Sequence, residues 1–342
     1  MGYILSKEGL NKILSALSKE YMIFAPKIFE NGNKFSDLPL VRYGRVNSVD
    51  EIAFDAKSSN SFKETFMPIS QTLFFFTEDA VKEADSPLAG QKGAIVFLRS
   101  CDIHALKRLD EIYLNNSEAD YYYKRVRDKI KFVLLPCKEP FASCFCVDMQ
   151  SNKTESYDAS VEIDGENTVC IDCKNHEWDC FFKEAAQKVL PVTPSFVVET
   201  KTRVSVPEQL SAAQATALGF WAEYDGRCIN CGRCNFSCPT CTCYTMQDLF
   251  YSDNGRAGER RRVWASCMVD GFTDVAGGGA YRKKNGERMR FKALHKVLDF
   301  KQRFGYTMCV GCGRCDDICP EYISFSTIIN RLSGEVTQNG GE

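Results

Sequence analysis

Two cysteine runs constrain this chain more than any other feature. Cys228, Cys231, Cys234 and Cys238, followed by Pro239, have the spacing C-x2-C-x2-C-x3-C-P, and Cys309, Cys312, Cys315 and Cys319, followed by Pro320, repeat it. Three cysteines this close can wrap three corners of a [4Fe–4S] cube, while the fourth ligates the other cluster of a pair. The expected assignment is therefore crossed. Cys228, Cys231 and Cys234 join Cys319 for one cluster, and Cys309, Cys312 and Cys315 join Cys238 for the second. Gly232 and Gly313 suit a backbone folding tightly round the cofactor, where a Cβ would clash. The proline after each fourth cysteine turns the chain away. Paired C-x2-C loops also bind zinc, but two full copies of the pattern, each ending in Cys-Pro, favour the cubane.

The runs account for eight of 18 cysteines in 342 residues, so thiol remains to be explained. Hydrophobic residues at 44% and charged residues at 26% describe a folded globular chain rather than a disordered one. A formal charge of −2 argues against nucleic acid as a main partner, which would want a basic footprint. No apolar run reaches the length of a membrane span, so no membrane association is expected. The first residues turn polar too soon for a secretory signal. The expected compartment is the cytoplasm, where thiols hold metal more readily than they form disulfides.

The fold class read from the pattern is α+β. An α/β domain is expected over 1–203, with a dicluster ferredoxin-type domain over 204–342 and a linker at Thr200–Pro207. Leu10, Ile13, Leu14, Leu17 and Tyr21 predict one amphipathic helix with Ser6 as its cap. Gly93–Leu98 reads as a buried strand, Ile103–Ile112 as a helix and Lys131–Leu135 as a second buried strand, together a βαβ unit with parallel strands. Residues 150–175 look polar and irregular, and Ser195–Thr200 reads as a last strand. Pro207 and Ser211 open a helix running to Trp221. The interval from Thr240 to Met308 is too long for the hairpins of the smallest ferredoxins. A mainly helical C-terminal domain with an inserted loop is expected, with a βαβ ferredoxin core as the alternative.

Parallel strands place their following loops at one sheet edge, where such folds keep their sites. Cys101 and Cys137 each lie just past a strand end and should be neighbours. With Cys144 and Cys146 they make four thiols available for a candidate third [4Fe–4S] cluster; buried structural cysteines and a zinc site are the alternatives. Cys170, Cys173 and Cys180, with His176, could make a Cys3His zinc site or lie in a polar loop. Cys241, Cys243 and Cys267 read as packing residues beside the clusters. No dinucleotide fingerprint or P-loop occurs. No catalytic residue is therefore assigned, and the chain is expected to carry electrons without owning a terminal reaction.

The segments Arg99–Lys107, Pro136–Cys146, Cys238–Tyr244 and Trp264–Cys267 resemble the β subunits of soluble multimeric hydrogenases and their relatives. Met308–Ile323, together with the chain length, is most similar to the A subunits of anaerobic sulfite reductases. That resemblance spans about residues 1–333 and leaves Cys170, Cys173 and Cys180 without a role. It implies an iron–sulfur subunit of a three-subunit complex, relaying electrons from a flavin subunit that oxidises NADH to a sirohaem subunit that reduces sulfite to sulfide. The alternative it implies is the same relay role inside a soluble hydrogenase or sulfhydrogenase-like complex.

Overall fold

The computed structural model describes residues 1–32, 37–207 and 211–339. The chain begins with β1 (Gly2–Ser6), α1 (Lys7–Leu17), β2 (Tyr21–Phe29) and β3 (Leu40–Arg45), then β4 (Ser70–Phe76) and β5 (Val81–Glu83). Next come β6 (Gly93–Leu98), α2 (Ser100–Tyr113), α3 (Tyr121–Arg127), β7 (Ile130–Leu134), β8 (Ala159–Asp164), β9 (Thr168–Cys173), α4 (Asp179–Ala185) and β10 (Lys188–Val189). The C-terminal part holds α5 (Ala212–Ala217), α6 (Tyr224–Arg227), α7 (Arg233–Phe236), β11 (Tyr244–Phe250), β12 (Gly258–Trp264), α8 (Asn285–Leu294), α9 (Phe300–Phe304), α10 (Arg314–Asp317) and α11 (Phe325–Asn339).

One eight-stranded mixed sheet has the order β10-β1-β9-β8-β7-β6-β2-β3. Its centre is parallel, through the pairs β2 with β6, β6 with β7 and β7 with β8. Every residue of β6 is buried, as its unbroken apolar run requires of a strand covered on both faces. Ile95 and Phe97 pack on one face with Leu10, Ile13 and Leu14 of α1, while Ala94, Val96 and Leu98 pack on the other with Leu106 and Leu109 of α2. That alternation is the period of two of a pleated strand. Ser6 Oγ accepts from the Gly9 amide, 3.1 Å away, and so caps α1 as the pattern predicts.

Several expectations need correction. Tyr21 opens β2 instead of closing α1. Residues 150–175 contain β8 and β9, an antiparallel pair that extends the sheet. Ser195–Thr200 joins no sheet. Its polar groups find side chains instead, since the Ser195 amide donates to Glu162 and the Val197 carbonyl accepts from Asn152 Nδ2. The helix expected from Pro207 to Trp221 starts only at Ala212, capped by Ser211, and stops at Ala217; residues 208–210 lie outside the described residues. The insert between the motifs is not merely a loop. Its strands β11 and β12 form an antiparallel hairpin, and β12 pairs with β4 to complete a second sheet, β11-β12-β4-β5. All seven residues of β11 are exposed, so no burial pattern announces that strand.

The C-terminal part fastens to the loop edge of the large sheet through a fully buried ion pair. Arg314 is 2% exposed and Asp102 0%. The guanidinium donates to both carboxylate oxygens, at 2.6 and 2.9 Å, and also to the backbone and hydroxyl of Ser58. Tyr43 donates to the same carboxylate. Removing one charge of a buried pair strands the other in low dielectric. Asp102→Asn should therefore destabilise the protein by about 3–5 kcal/mol, read as a lowered midpoint of urea unfolding under anoxic conditions, and an unchanged midpoint would contradict this role.

Candidate metal centres

The first motif turns at Gly232, where φ is +70°, into the single turn of α7, and the second turns at Gly313, also at φ +70°, into α10. Only glycine adopts that conformation without strain, and both positions are also crowded. A Cβ at Gly232 would press on Val269, and one at Gly313 would run into the backbone of Ser143.

Cys228, Cys231, Cys234 and Cys319 line one cavity, floored by Met289, Phe325 and Ile328. Cys228 lies within electrostatic reach of Cys234, Cys231 and Cys319, and burial raises its thiol pKa. This cavity is at the surface, for Cys231 is exposed, Ile229 is 57% exposed and Tyr322 is 89% exposed.

Cys309, Cys312, Cys315 and Cys238 form a deeper group. Cys309 feels the charges of Cys238 and Cys312, and burial pushes its thiol up to about 12. Cys312 feels Cys238, and Cys315 feels Cys312 and Cys309. Cys315 also walls the first cavity, so the two motif-borne sites are immediate neighbours.

Cys101, Cys137, Cys144 and Cys146 line a third cavity, at the C-terminal ends of β6 and β7. Arg99 and Ser100 line it too, and Arg99 Nε and Ser100 Oγ are buried with no hydrogen-bond partner. Two unsatisfied buried donors beside four thiols fit a sulfide-rich group, whose sulfurs accept such bonds. Burial dominates the acidities here, raising Cys101 and holding Cys146 up at about 12. A bound metal would have to displace those protons.

The third cavity abuts the second group. Cys312 and Arg314 belong to its wall, and Cys144 Sγ donates to the Cys312 carbonyl at 3.5 Å. The Phe145 amide donates to the Gly311 carbonyl and Ser151 Oγ to the Val310 carbonyl, lacing the two loops together. A Cβ at Gly311 would strike the Phe145 backbone, so this approach needs glycine.

Other cysteines behave differently. Cys173 is 2% exposed within the apolar core that also holds Trp178 and Phe182. Cys170, three residues earlier on β9, points to the opposite face, near Asp164, Glu162 and Lys138. Cys180 is exposed, and His176 hydrogen-bonds Asp179. These side chains do not converge. Among the described residues no three His, Cys, Asp or Glu side chains gather closely enough to hold a single metal ion.

Cys241, Cys243 and Cys267, read from the sequence as packing residues, take part in a polar network. Cys241 lies beside Cys238 and Cys243 beside Cys267, and Asn235 Nδ2 donates to Cys267 Sγ at 3.0 Å. Lys63, Lys292 and Lys296 are buried around this network. The C-P-T-C-T-C spacing was the signal that could have placed Cys241 and Cys243 at the second site. Five arginines of the insert form ion pairs within the chain: Arg256 with Glu78, Arg260 with Asp248, Arg261 with Glu259, Arg262 with Asp120 and Arg288 with Asp270.

Comparison with known proteins bears on this geometry. Residues 227–323 match a 4Fe-4S dicluster domain. Sulfhydrogenase 2 subunit beta of Pyrococcus furiosus is 30% identical over 309 residues, covering 85% of this chain and 88% of that protein. No solved structure matches significantly. Among the described residues no helix is long and apolar enough to cross a membrane.

Replacing Cys170 and Cys180 together by serine should leave the iron content unchanged. Cys173→Ser should also keep the iron but cost about 1–3 kcal/mol by burying a hydroxyl. Iron analysis and urea unfolding check both, and a loss of iron would contradict the placement of these residues.

Proposed function

As a member of the hydrogenase-type iron–sulfur β-subunit family, this chain is an electron-transfer subunit, and we propose that it relays single electrons through three [4Fe–4S] clusters between two partner subunits of a soluble hydrogenase-like complex. The supporting observation is the adjacency of the three cysteine sets, with Cys315 on the wall of the first cavity and Cys312 on the wall of the third. When bound, each cluster supplies a one-electron couple. The chain's own part is to hold twelve thiols in three groups, to bury the middle one, and to offer hydrogen bonds and charge to the sulfurs.

The proposed ligands are Cys228, Cys231, Cys234 and Cys319 for the outer site, and Cys309, Cys312, Cys315 and Cys238 for the middle one. Cys101, Cys137, Cys144 and Cys146 hold the third. Domain limits of 1–203 and 204–342 are part of the same proposal. The limits are not limits of packing, since Phe145 and Met149 share a core with Ile328 and Leu332 of α11.

The hydrogenase-type assembly is preferred over a sulfite-reducing one because the relative matched over most of both chains is a sulfhydrogenase subunit. A sulfite-reducing complex, with an NADH-oxidising flavin subunit and a sirohaem subunit, is the second reading. It is carried by the likeness of Met308–Ile323 to sulfite reductase A subunits. Purification from the native host with partners attached separates them: nickel is expected, and sirohaem absorption without nickel would reverse the order.

Iron per chain tests the relay itself. About twelve irons are expected from anoxic protein, falling by about four in Cys137→Ser. About eight irons in both proteins would remove the third cluster. A colourless protein with stoichiometric zinc would overturn the redox role.

A further inference from the structure

Three lysines beside the motif cysteines lack the partners that buried ammonium groups ordinarily need. Lys63 is 3% exposed, and Lys292 and Lys296 are each 4% exposed. Taking such a charge out of water costs several kcal/mol unless it is paired. Lys296 Nζ donates to Thr240 Oγ1 at 2.9 Å, with Cys238 in electrostatic reach. Lys63 Nζ donates to the Cys241 carbonyl and stands 4.5 Å from the centroid of the Trp264 ring. Lys292 Nζ lies 5.2 Å from the Phe325 centroid, with Cys234, Cys315 and Cys241 in electrostatic reach. None of these partners is a carboxylate. The negative charge facing the three ammonium groups comes from sulfur.

Lys63 and Lys296 share one focus, Cys238, whereas Lys292 sits on the wall of the first cavity beside Cys234. Cys238 Sγ lies 3.3 Å from Thr240 Oγ1, which in turn accepts from Lys296 Nζ. The backbone holds this arrangement. Lys292 lies in the last turn of α8, and the chain then widens into a π-turn, His295–Asp299, that contains Lys296. Such turns are uncommon and recur at functional sites. The Lys296 carbonyl accepts the amides of Met308 and Cys309, at 2.8 and 3.3 Å. One residue thus binds the start of the second motif through its backbone while its ammonium faces the last cysteine of the first.

Buried cations attend the other sites too: Arg99 lines the third cavity and Lys292 the first, although the first also borders solvent at Cys231, and Arg314 and Lys57 at the third are neutralised by Asp102 and Asp317. Fixed cations and hydrogen bonds to ligand sulfur stabilise the reduced, more negative state of an iron–sulfur group.

We propose that Lys296, seconded by Lys63 and coupled through Thr240, raises the reduction potential of the group held by Cys309, Cys312, Cys315 and Cys238. This rests on the ligand assignment proposed above. The lysines act through the cysteine sulfurs and are positioning residues, not catalytic ones.

The test is an EPR-monitored redox titration of the anoxic holoprotein. Cys238→Ser first identifies the signal of the middle site, because an oxygen ligand alters it. Lys296→Gln should then lower the reduction equilibrium constant of that signal about tenfold, the worth of one charge-assisted hydrogen bond. The other signals should hold within about twofold. Lys296→Arg should restore most of the loss, and Thr240→Val, which keeps the volume, should give a smaller shift of the same sign should Lys296→Gln fail to fold. If Cys238→Ser alters no signal, the ligand assignment fails. If it does and neither Lys296→Gln nor Thr240→Val moves the potential, or if all signals shift equally, the proposal is overturned.

Discussion

The buried pair between Asp102 and Arg314 is the interaction on which the rest depends. Asp102 follows Cys101 in the first turn of α2, and Arg314 lies between Cys312 and Cys315. Charges buried this deeply tolerate little displacement, because separation leaves each one desolvated and alone. The pair therefore fixes two cysteine loops more than 200 residues apart in one register. Gly311 and Gly313 let the backbones close to contact, and the Cys144–Cys312 and Ser151–Val310 bonds finish the joint. A relay needs short, fixed separations between its stations, and here a salt bridge and two glycines provide them.

Charge elsewhere follows the same logic. The formal charge of −2 counts neither cluster nor thiolate. The chain nevertheless buries Arg99, Lys63, Lys292 and Lys296 beside cysteines instead of beside carboxylates. Such placements destabilise a protein whose sulfurs stay protonated and stabilise one whose sulfurs carry charge. The folded chain is thus built around negative charge on the sulfurs beside these four side chains.

Legibility from sequence varied with the range of the forces involved. The βαβ unit was readable because β6 and β7 are unbroken apolar runs with loops on one edge, and that topology predicted the meeting of Cys101 with Cys137 in one cavity. The local spacing of the two motifs identified the dicluster region. What escaped depends on distant partners. β11 is exposed throughout and exists through its pairing with β12, which in turn needs β4. β8 and β9 hide in a polar stretch because β9 buries only alternate residues and β8 only its first three. Ser195–Thr200 reads as a strand yet has its backbone satisfied by Glu162 and Asn152. The role of Lys296 depends on a π-turn that no periodicity announces. The assembly was read as sulfite-reducing from one motif, and similarity over most of the chain favours the hydrogenase type instead.

The central claim is three iron–sulfur sites in a row, the outer and middle ones each shared between both motifs. Anomalous diffraction at the iron edge, from crystals of the anoxically purified holoprotein, tests it most directly. The account predicts three compact iron peaks, one at Cys228 and Cys319, one at Cys238 and Cys309, and one at Cys101 and Cys137, with the Cys238 peak between the others. Two peaks confined to the motifs, or a third at Cys170 and Cys173, would contradict it.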